Sequence, residues 1–306
     1  MNEQRRGVMF GAAAYVMWGV FPLYFPLLEP AGAWEILGHR ILWSLVVAGA
    51  LVLVLGRRTQ VMGVLRDRRK LVLLAGAAAV ISINWVTYIW GVNNGRIVET
   101  SLGYFTNPLV TMLMGVLILR ERLRRLQWVA LGIAFVAVIV LTVDYGRLPW
   151  VALILAFSFG TYGLLKKSAG VGPFESLAVE TAVTAPFALT LIVALQATGN
   201  GTLVGHGPVH VILLMSLGVA TVVPLACFGA AAIRVPMVTI GLLQYLAPIL
   251  QFAVGVFIAH EAMPPGRWVG FAIVWVALII FSAEAVHHRR VVLRAALAPV
   301  STRAEA

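Results

Sequence analysis

The sequence predicts an all-α polytopic membrane protein, with ten transmembrane helices arranged as two inverted five-helix repeats. Three observations predict this fold: an apolar composition, apolar runs that recur along the whole chain, and an internal repeat. Of the 306 residues, 61% are hydrophobic and 11% are charged, and the mean hydropathy is +0.94. A soluble domain has about 45–50% apolar and about 25% charged residues, so this composition excludes a water-soluble globule.

The apolar runs are each about 20 residues long, which is the length that a helix needs to cross the hydrocarbon core of a bilayer. Transmembrane strands would instead give short segments of alternating polarity, which the sequence lacks. The first run is too long for a signal peptide and has no cleavage site after it, so we expect it to be retained. The predicted spans are residues 7–28, 34–55, 71–93, 97–119, 126–144, 149–166, 175–196, 209–231, 237–259 and 266–286.

The net charge of +11 follows from the distribution of basic residues between the predicted loops. Ten spans put both termini on the same side. With the termini inside, all but four of the 23 Lys and Arg residues fall in cytoplasmic segments; the exceptions are Arg40 within a span and Arg96, Arg147 and Arg267 outside. This is the bias of the positive-inside rule. We therefore expect a multi-pass protein of the cytoplasmic membrane with both termini cytoplasmic, and no nucleic-acid partner.

An ungapped internal repeat aligns residues 102–141 with residues 242–281, at an offset of 140. The repeat matches Pro108 with Pro248, Gly115 with Gly255, Glu121 with Glu261 and Trp128 with Trp268. The two copies are five spans apart, and five is an odd number, so the second copy must cross the membrane in the opposite direction. We expect a first five-helix repeat at residues 1–144, a second at 145–290 and a cytoplasmic tail at 291–306.

Inverted repeats are the architecture of many secondary transporters, in which two halves move about a shared site near the midplane. The sequence has no phosphate-binding loop of the form G-x-x-x-x-G-K-[ST], so we expect transport to use a gradient rather than ATP. A small-solute channel and an intramembrane enzyme are the alternatives. A channel needs a continuous pore or filter, and an enzyme needs a recognisable catalytic constellation, and the sequence shows neither.

Several motifs resemble the RarD-type branch of the EamA family, which belongs to the drug/metabolite transporter superfamily. These motifs are MWGVFPLYF, EILGHRILWS, INWVTYIWGVNN, ETSLGYFTNPLV, LRERLRRLQWVA, LAFSFGTYGLLKK and IGLLQYLAPIL, and the resemblance covers about residues 7–284. It implies a ten-helix carrier of the inner membrane, related to exporters of amino acids and other small metabolites. We therefore expect a small amino acid-like or amphiphilic substrate, with or without proton counter-transport, and no cofactor or metal.

The segment WEILGHRILWS places Glu35, His39 and Arg40 at the start of the second span. Glu35 and His39 are four residues apart and share one helix face. In one interpretation the three line a cavity, where Arg40 binds an anionic group and Glu35 or His39 exchanges protons. In the other, Glu35 lies at the headgroups and Arg40 extends outward or pairs with Glu35, because an unpaired Arg in a span is costly.

Polar side chains also follow one face of each of the third, fourth and ninth spans. Asn84 and Tyr88 lie in the third span, where the alternative to a cavity role is a hydrogen bond between helices. The fourth span carries Tyr104 and Asn107 beside Pro108, and the ninth carries Gln244 and Tyr245 beside Pro248. A proline leaves the carbonyl four residues earlier without its helical donor, so these two regions predict substrate contacts near the midplane.

Four further carboxylates complete the set of candidates. Glu180 lies about a turn and a half into the seventh span and is a candidate for proton coupling. We expect Glu99 to form an interfacial pair with Arg96, and Glu121 and Glu261 to fix loops at the ends of spans.

Overall fold

The computed structural model describes residues 3–119 and 123–297, with no description of the side chains at 115, 119, 237–238 and 288–297. The described residues are helical and contain no strand. The helices are α1 (Glu3–Gly19), α2 (Phe21–Tyr24), α3 (Ala33–Val54), α4 (Arg58–Arg66), α5 (Arg68–Asn93), α6 (Ile97–Leu119), α7 (Arg125–Tyr145), α8 (Trp150–Ala169), α9 (Pro173–Ala197), α10 (Gly207–Ala232), α11 (Met237–Leu243), α12 (Leu246–Ala253) and α13 (Pro265–Leu297).

Eight segments of the described residues are long and apolar enough to cross a membrane, or nine if the bent pair at the start of the chain is one span. The chain is therefore an all-α polytopic membrane protein, as predicted. Helix α8 is 20 residues long but is not among these segments, because Lys166 and Lys167 lie in its last turn. The count of ten spans stays a prediction.

The first span is bent by 43° between α1 and the segment Phe21–Leu28. Pro22 is the cause, since it has no N–H to donate to the carbonyl of Trp18. Gln251 Nε2 of α12 donates to that carbonyl at 3.2 Å, so the freed acceptor is satisfied from the second half of the chain. The sequence predicts a single span at residues 7–28 that is kinked at Pro22, and the bend confirms the kink.

The two prolines that the repeat aligns are accommodated differently. Helix α6 runs unbroken through Pro108. The corresponding span in the second half breaks at Gln244 and Tyr245, between α11 and α12, and ends in a π-helical turn at Val254–Ile258. The predicted ninth span is therefore two short helices and a wider turn.

The helices of the two predicted halves pack against each other in pairs. Helix α1 packs against α10, α5 against α8, α3 against α9 and α7 against α13. Small residues permit the closest approaches: at Gly218 of α10 an added Cβ would collide with the backbone of Trp43 in α3. Helix α13 continues to Leu297, into the predicted tail, and residues 298–306 lie outside the described part.

Candidate functional site

A cavity in the described part of the chain has a volume of about 680 Å³. It lies between α6, α7, α8, α11 and α13. Both Asn107 of α6 and Gln244, at the end of α11, contribute to its wall, as the repeat predicted for one shared cavity. Its lining consists of Asn107, Pro108, Thr111, Met112, Leu123, Arg124, Gln127, Phe159, Gln244 and Phe281.

The cavity reaches the end of the bundle where α7 begins. Leu123 and Arg124 directly precede α7 and lie in its wall, and this end is the predicted cytoplasmic one. Arg124 Nε lies 2.7 Å from Glu284 Oε1 of α13, so an ion pair holds α7 and α13 together beside the opening. Glu121 lies outside the described residues.

An aromatic group adjoins the wall of this cavity. Tyr104, one turn before Pro108, packs against Phe159 of the cavity wall with ring centroids 6.3 Å apart. On its other side it packs against Tyr88, at 5.4 Å. The Tyr104 hydroxyl donates to Asn84 Oδ1 at 3.1 Å.

Asn84 joins α5 to α8 rather than lining the cavity. It is buried, and its Nδ2 donates to the carbonyl of Leu155 at 3.0 Å and to Ser158 Oγ at 2.9 Å. With Tyr104 donating to its oxygen, every hydrogen-bonding atom of the amide has a partner. This geometry matches the interhelical alternative.

Arg40 is buried on the predicted outer side of the aromatic group around Tyr104. It lies about 10 Å along α3 from the first residue of that helix. Its side chain is 4% exposed, and its Nε donates to Thr221 Oγ1 of α10 at 3.0 Å. The guanidinium carbon lies 4.1 Å from the ring centroid of Trp85 and 5.5 Å from that of Phe21. Among the described residues, no carboxylate lies within 4.0 Å of it, although a central Arg costs about 2.5–3.5 kcal/mol to insert.

Three tyrosines belong to the aromatic cluster on which the guanidinium rests. Tyr24, Tyr88 and Tyr104 are connected to the Phe21 ring below Arg40, Tyr24 directly and the other two through Phe25. The Tyr24 hydroxyl lies 2.7 Å from Ser216 Oγ, and that of Tyr104 is bonded to Asn84. The Tyr88 side chain is 3% exposed, and its hydroxyl has no hydrogen-bond partner in the described part of the chain.

Glu35 and His39 do not share a site with Arg40. Glu35 accepts hydrogen bonds from the backbone N–H of Thr202 at 2.7 Å and from its hydroxyl at 3.0 Å. His39 Nε2 lies 4.0 Å from Glu35 Oε1, and the hydroxyl of Thr202 also contacts His210 Nε2 at 2.7 Å. Glu35 therefore anchors the loop before α10, and the pairing of Arg40 with Glu35 that the sequence allowed does not occur.

Glu180 has partners that sequence reasoning missed. Lys166 Nζ lies 3.1 Å from Glu180 Oε1, and the Tyr162 hydroxyl donates to Glu180 Oε2 at 3.2 Å. Lys166 also donates to the Tyr162 hydroxyl at 2.9 Å. The i, i+4 spacing of Tyr162 and Lys166 was the available signal, because it puts both side chains on one face of α8.

Two carboxylates close the predicted outer end. Glu99 pairs chiefly with Arg147, at 2.7 Å, while Arg96 lies 3.8 Å away. Glu261 accepts hydrogen bonds from the backbone N–H groups of Ile97 and of Val98, the latter at 2.9 Å, and so caps α6 from the opposite half. Burial raises the pKa of Glu261, and these two donors oppose the rise. The prediction that Glu261 fixes a loop missed this contact.

Tyr245 is half-buried and lies outside the cavity lining. The hydroxyl of Ser282 donates to the Tyr245 hydroxyl at 3.4 Å, which links the break between α11 and α12 to α13. Of the nine residues predicted to bind substrate, the structure therefore places Asn107 and Gln244 in the cavity, and Tyr88 and Tyr104 with Arg40. Asn84 and Glu35 bind neighbouring chain segments, and the buried Nε2 of His39 has no hydrogen-bond partner among the described residues.

The comparisons with known proteins agree on one family. A sequence model of the EamA-like transporter family matches residues 5–143. Protein RarD of Streptomyces exfoliatus is 56% identical over 94% of this chain and 92% of its own length. Protein RarD of Escherichia coli K12 is 38% identical over 94% of this chain and 98% of its own length.

More distant relatives agree with this assignment. The chloramphenicol-sensitive protein RarD of Pseudomonas aeruginosa is 28% identical over 92% of this chain and 94% of its own length. A solved crystal structure, at 18% identity, superposes with a TM-score of 0.58 over 90% of this chain and 96% of that one, which shows a shared fold. The chain therefore belongs to the EamA-like transporter family, as a RarD-type member of the drug/metabolite transporter superfamily.

Proposed function

We propose that this membrane transporter is a carrier that exports a small metabolite by alternating access between two inverted five-helix halves. The observation that carries the proposal is the cavity, which reaches the predicted cytoplasmic end and contains Asn107 and Gln244, one from each of the two segments that the repeat aligns. A carrier that has its site open to the inside is expected to show this one-sided arrangement.

The contacts at the predicted outer end also support a carrier that is open to the inside. Three buried or half-buried carboxylates there each bind a different chain segment: Glu35 binds Thr202, Glu99 binds Arg147, and Glu261 binds the first N–H groups of α6. To admit solvent from outside, the contact between Glu261 and α6 must break, because it joins segments from the two halves.

The bounds of the helices support the inverted repeat at 1–144 and 145–290. Helices α3, α6 and α7 begin at Ala33, Ile97 and Arg125. Helices α9, α11 and α13 begin at Pro173, Met237 and Pro265, each 140 residues after its counterpart. The packing has the same symmetry, since exchanging the halves turns the contact of α1 with α10 into that of α8 with α5.

If export is coupled to protons, Glu180 is the carboxylate to which we assign the exchange. Its partner Tyr162 packs against Phe159 of the cavity wall, with ring centroids 6.1 Å apart, so Glu180 is one side chain removed from the cavity. Glu35 and His39 lie near the outer loop instead, with Glu35 bonded to Thr202.

The proposal is tested by flux measurements on the purified protein in proteoliposomes, with radiolabelled amino acids and amphiphilic compounds as probes. A carrier gives saturable flux that is accelerated by unlabelled solute on the opposite side. Linear flux without such counterflow would instead indicate the channel alternative. A pH gradient that stimulates flux in the parent and not in Glu180→Gln would support proton coupling.

A further inference from the structure

Arg40 differs from the other charged side chains that are buried in the described part of the chain. The buried carboxylates pair with basic side chains at 3.1 Å or less: Glu99 with Arg147, Glu175 with Arg57, Glu180 with Lys166 and Glu284 with Arg124. Glu35 is bonded twice to Thr202. Arg40 is a buried cation that has no carboxylate partner among the described residues.

We propose that Arg40 binds the substrate's negative charge, and that the substrate is an organic anion with one carboxylate and no ammonium group. This inference rests on the proposed carrier function and names the class of molecule that it moves. A single unpaired positive charge in an apolar surrounding is neutralised by one negative charge, which favours a carboxylate over a doubly charged phosphate monoester.

The guanidinium has free donors of the right geometry. Nε is bonded to Thr221, while Nη1 and Nη2 make no hydrogen bond within the described residues. A carboxylate accepts two parallel hydrogen bonds from an arginine, which is a stronger arrangement than either bond alone. Trp85 stacks at 4.1 Å and fixes the guanidinium plane, so its orientation is set before a ligand arrives.

Tyr88 supplies an independent observation that also indicates a ligand. Its hydroxyl is buried and has no partner in the described part, and its ring packs on Phe25, which packs on the Phe21 ring beside Arg40. A buried hydroxyl without a partner costs free energy that a carboxylate oxygen would recover by accepting its hydrogen bond. Arg40 and Tyr88 therefore each have a buried donor that is without a partner among the described residues.

The same surroundings select against an ammonium group. An ammonium needs acceptors, preferably a carboxylate, and the two buried carboxylates towards the predicted outer end already have partners. Glu35 bonds to Thr202, and Glu99 bonds to Arg147. The aromatic rings of Phe21 and Trp85 instead provide an apolar wall for the rest of the substrate. A zwitterionic amino acid or an amine is therefore expected to bind worse than a simple carboxylate of the same shape.

The experiment measures thermal unfolding of the purified protein in detergent, at constant ionic strength, with four probes that share a benzyl group. These are phenylacetate, phenylacetamide, phenethylamine and phenylalanine; octanoate and octylamine form a second pair. We expect the carboxylates to stabilise the protein. The amide, the amines and the amino acid should stabilise it less. Arg40→Gln should weaken phenylacetate binding roughly ten- to hundredfold, and Tyr88→Phe should weaken it less.

Arg96→Gln is the matched control. Arg96 also stacks on tryptophan, at 4.9 Å from the ring centroid of Trp90, but it already has Glu99 as a partner. We expect it to leave the probe selectivity unchanged. Arg40→Lys keeps the charge without the two parallel donors and should retain part of the binding.

The inference is overturned if phenethylamine or phenylalanine stabilises the protein as much as phenylacetate does. It is also overturned if Arg40→Gln keeps the carboxylate effect, or if no carboxylate has an effect. Saturable counterflow that favours amines would contradict the anion site and support the carrier function. Binding of phenylacetate that depends on Arg40, without any flux, would support the anion site and contradict the carrier function.

Discussion

Arg40 and Glu180 occupy corresponding places in the two halves of the chain and have opposite surroundings. Arg40 is seven residues after Ala33, the first residue of α3, and Glu180 is seven residues after Pro173, the first residue of α9. Both side chains are buried. Glu180 is bonded to Lys166 and Tyr162, whereas Arg40 is bonded only to the hydroxyl of Thr221 among the described residues.

The difference separates a charge that holds helices together from a charge that is available to a ligand. The attraction within a buried ion pair compensates part of the free energy needed to remove both charges from water. Removing one partner leaves the other charge buried without this compensation. A buried cation without a partner already has this uncompensated desolvation cost, so replacing it with a neutral side chain removes the cost. The two positions should therefore respond in opposite ways to neutralisation, and the predictions below test this contrast.

The largest effect is expected from Lys166→Met. This change leaves Glu180 buried without its cation and should destabilise the folded protein by about 3–5 kcal/mol near neutral pH. Thermal unfolding in detergent measures the loss. The double variant Lys166→Met/Glu180→Gln removes both charges and should recover most of the stability. A single variant as stable as the parent would show that this pair does not hold α8 to α9.

Arg40→Gln should have the opposite profile. We expect unfolding temperature to stay the same or to rise, because a buried unpaired charge is removed while an amide can still bond to Thr221. Flux of carboxylate probes should fall at least about tenfold, as expected for the loss of a charge-assisted bond. A clear drop in stability with flux retained would make Arg40 a structural residue.

Intermediate effects are expected in the cavity. Asn107→Ala and Gln244→Ala should each change apparent substrate affinity by about two- to tenfold, the range of one neutral hydrogen bond. Proteoliposome flux at varied substrate concentration gives the affinity, and Asn94→Ala, at an exposed amide outside the cavity, is the control. Unchanged affinity in both variants would remove the cavity from the transport path.

The smallest effect concerns pH at the outer end. In the form whose outer end is closed by the contact of Glu261 with α6, burial gives Glu261 a higher pKa than an exposed glutamate has. Protonation therefore favours this closed form. The closed form should gain stability as external pH falls through the interval between the two pKa values, and lose that gain above it. Labelling of Val98→Cys from outside should then slow severalfold on acidification.

This pH effect has a matched pair of controls. Glu261→Gln should make the labelling rate independent of pH, while Glu29→Gln, at an exposed glutamate near the same end, should keep the dependence. Faster labelling at low pH in the parent would reverse the sign of the argument and contradict it.

The helices were largely predictable from the sequence because each reflects a local property. The predicted span 34–55 corresponds to α3 at Ala33–Val54, and 126–144 corresponds to α7 at Arg125–Tyr145. Hydropathy alone sets such bounds, since a helix must keep apolar residues within the bilayer. The bend after α1 was predictable from Pro22, but the hydrogen bond from Gln251 to the carbonyl of Trp18 was not, because Gln251 lies in another segment. Helix α6 runs through Pro108 while its counterpart breaks at Gln244 and Tyr245, and no local pattern distinguishes the two cases.

The partners of the candidate residues were less predictable for the same reason. The spacing of Glu35 and Arg40 allowed a pair, yet Glu35 bonds to Thr202, which is 167 residues away along the chain. The repeat aligns the segments that carry Asn107 and Gln244, which is long-range information that a single helix lacks, and both residues line one cavity. Their binding of substrate stays a prediction. Trp85 and Thr221 around Arg40 had no comparable signal.

The comparison of Arg40 with Glu180 depends on the two halves crossing the membrane in opposite directions, and cysteine labelling tests this most directly. Gln60 and Asn200 are both exposed and are 140 residues apart, at corresponding positions of the predicted halves. In a Cys227→Ala background, a membrane-impermeant maleimide applied to intact cells should label Asn200→Cys and not Gln60→Cys. Labelling of both positions from the same side would contradict the inverted arrangement.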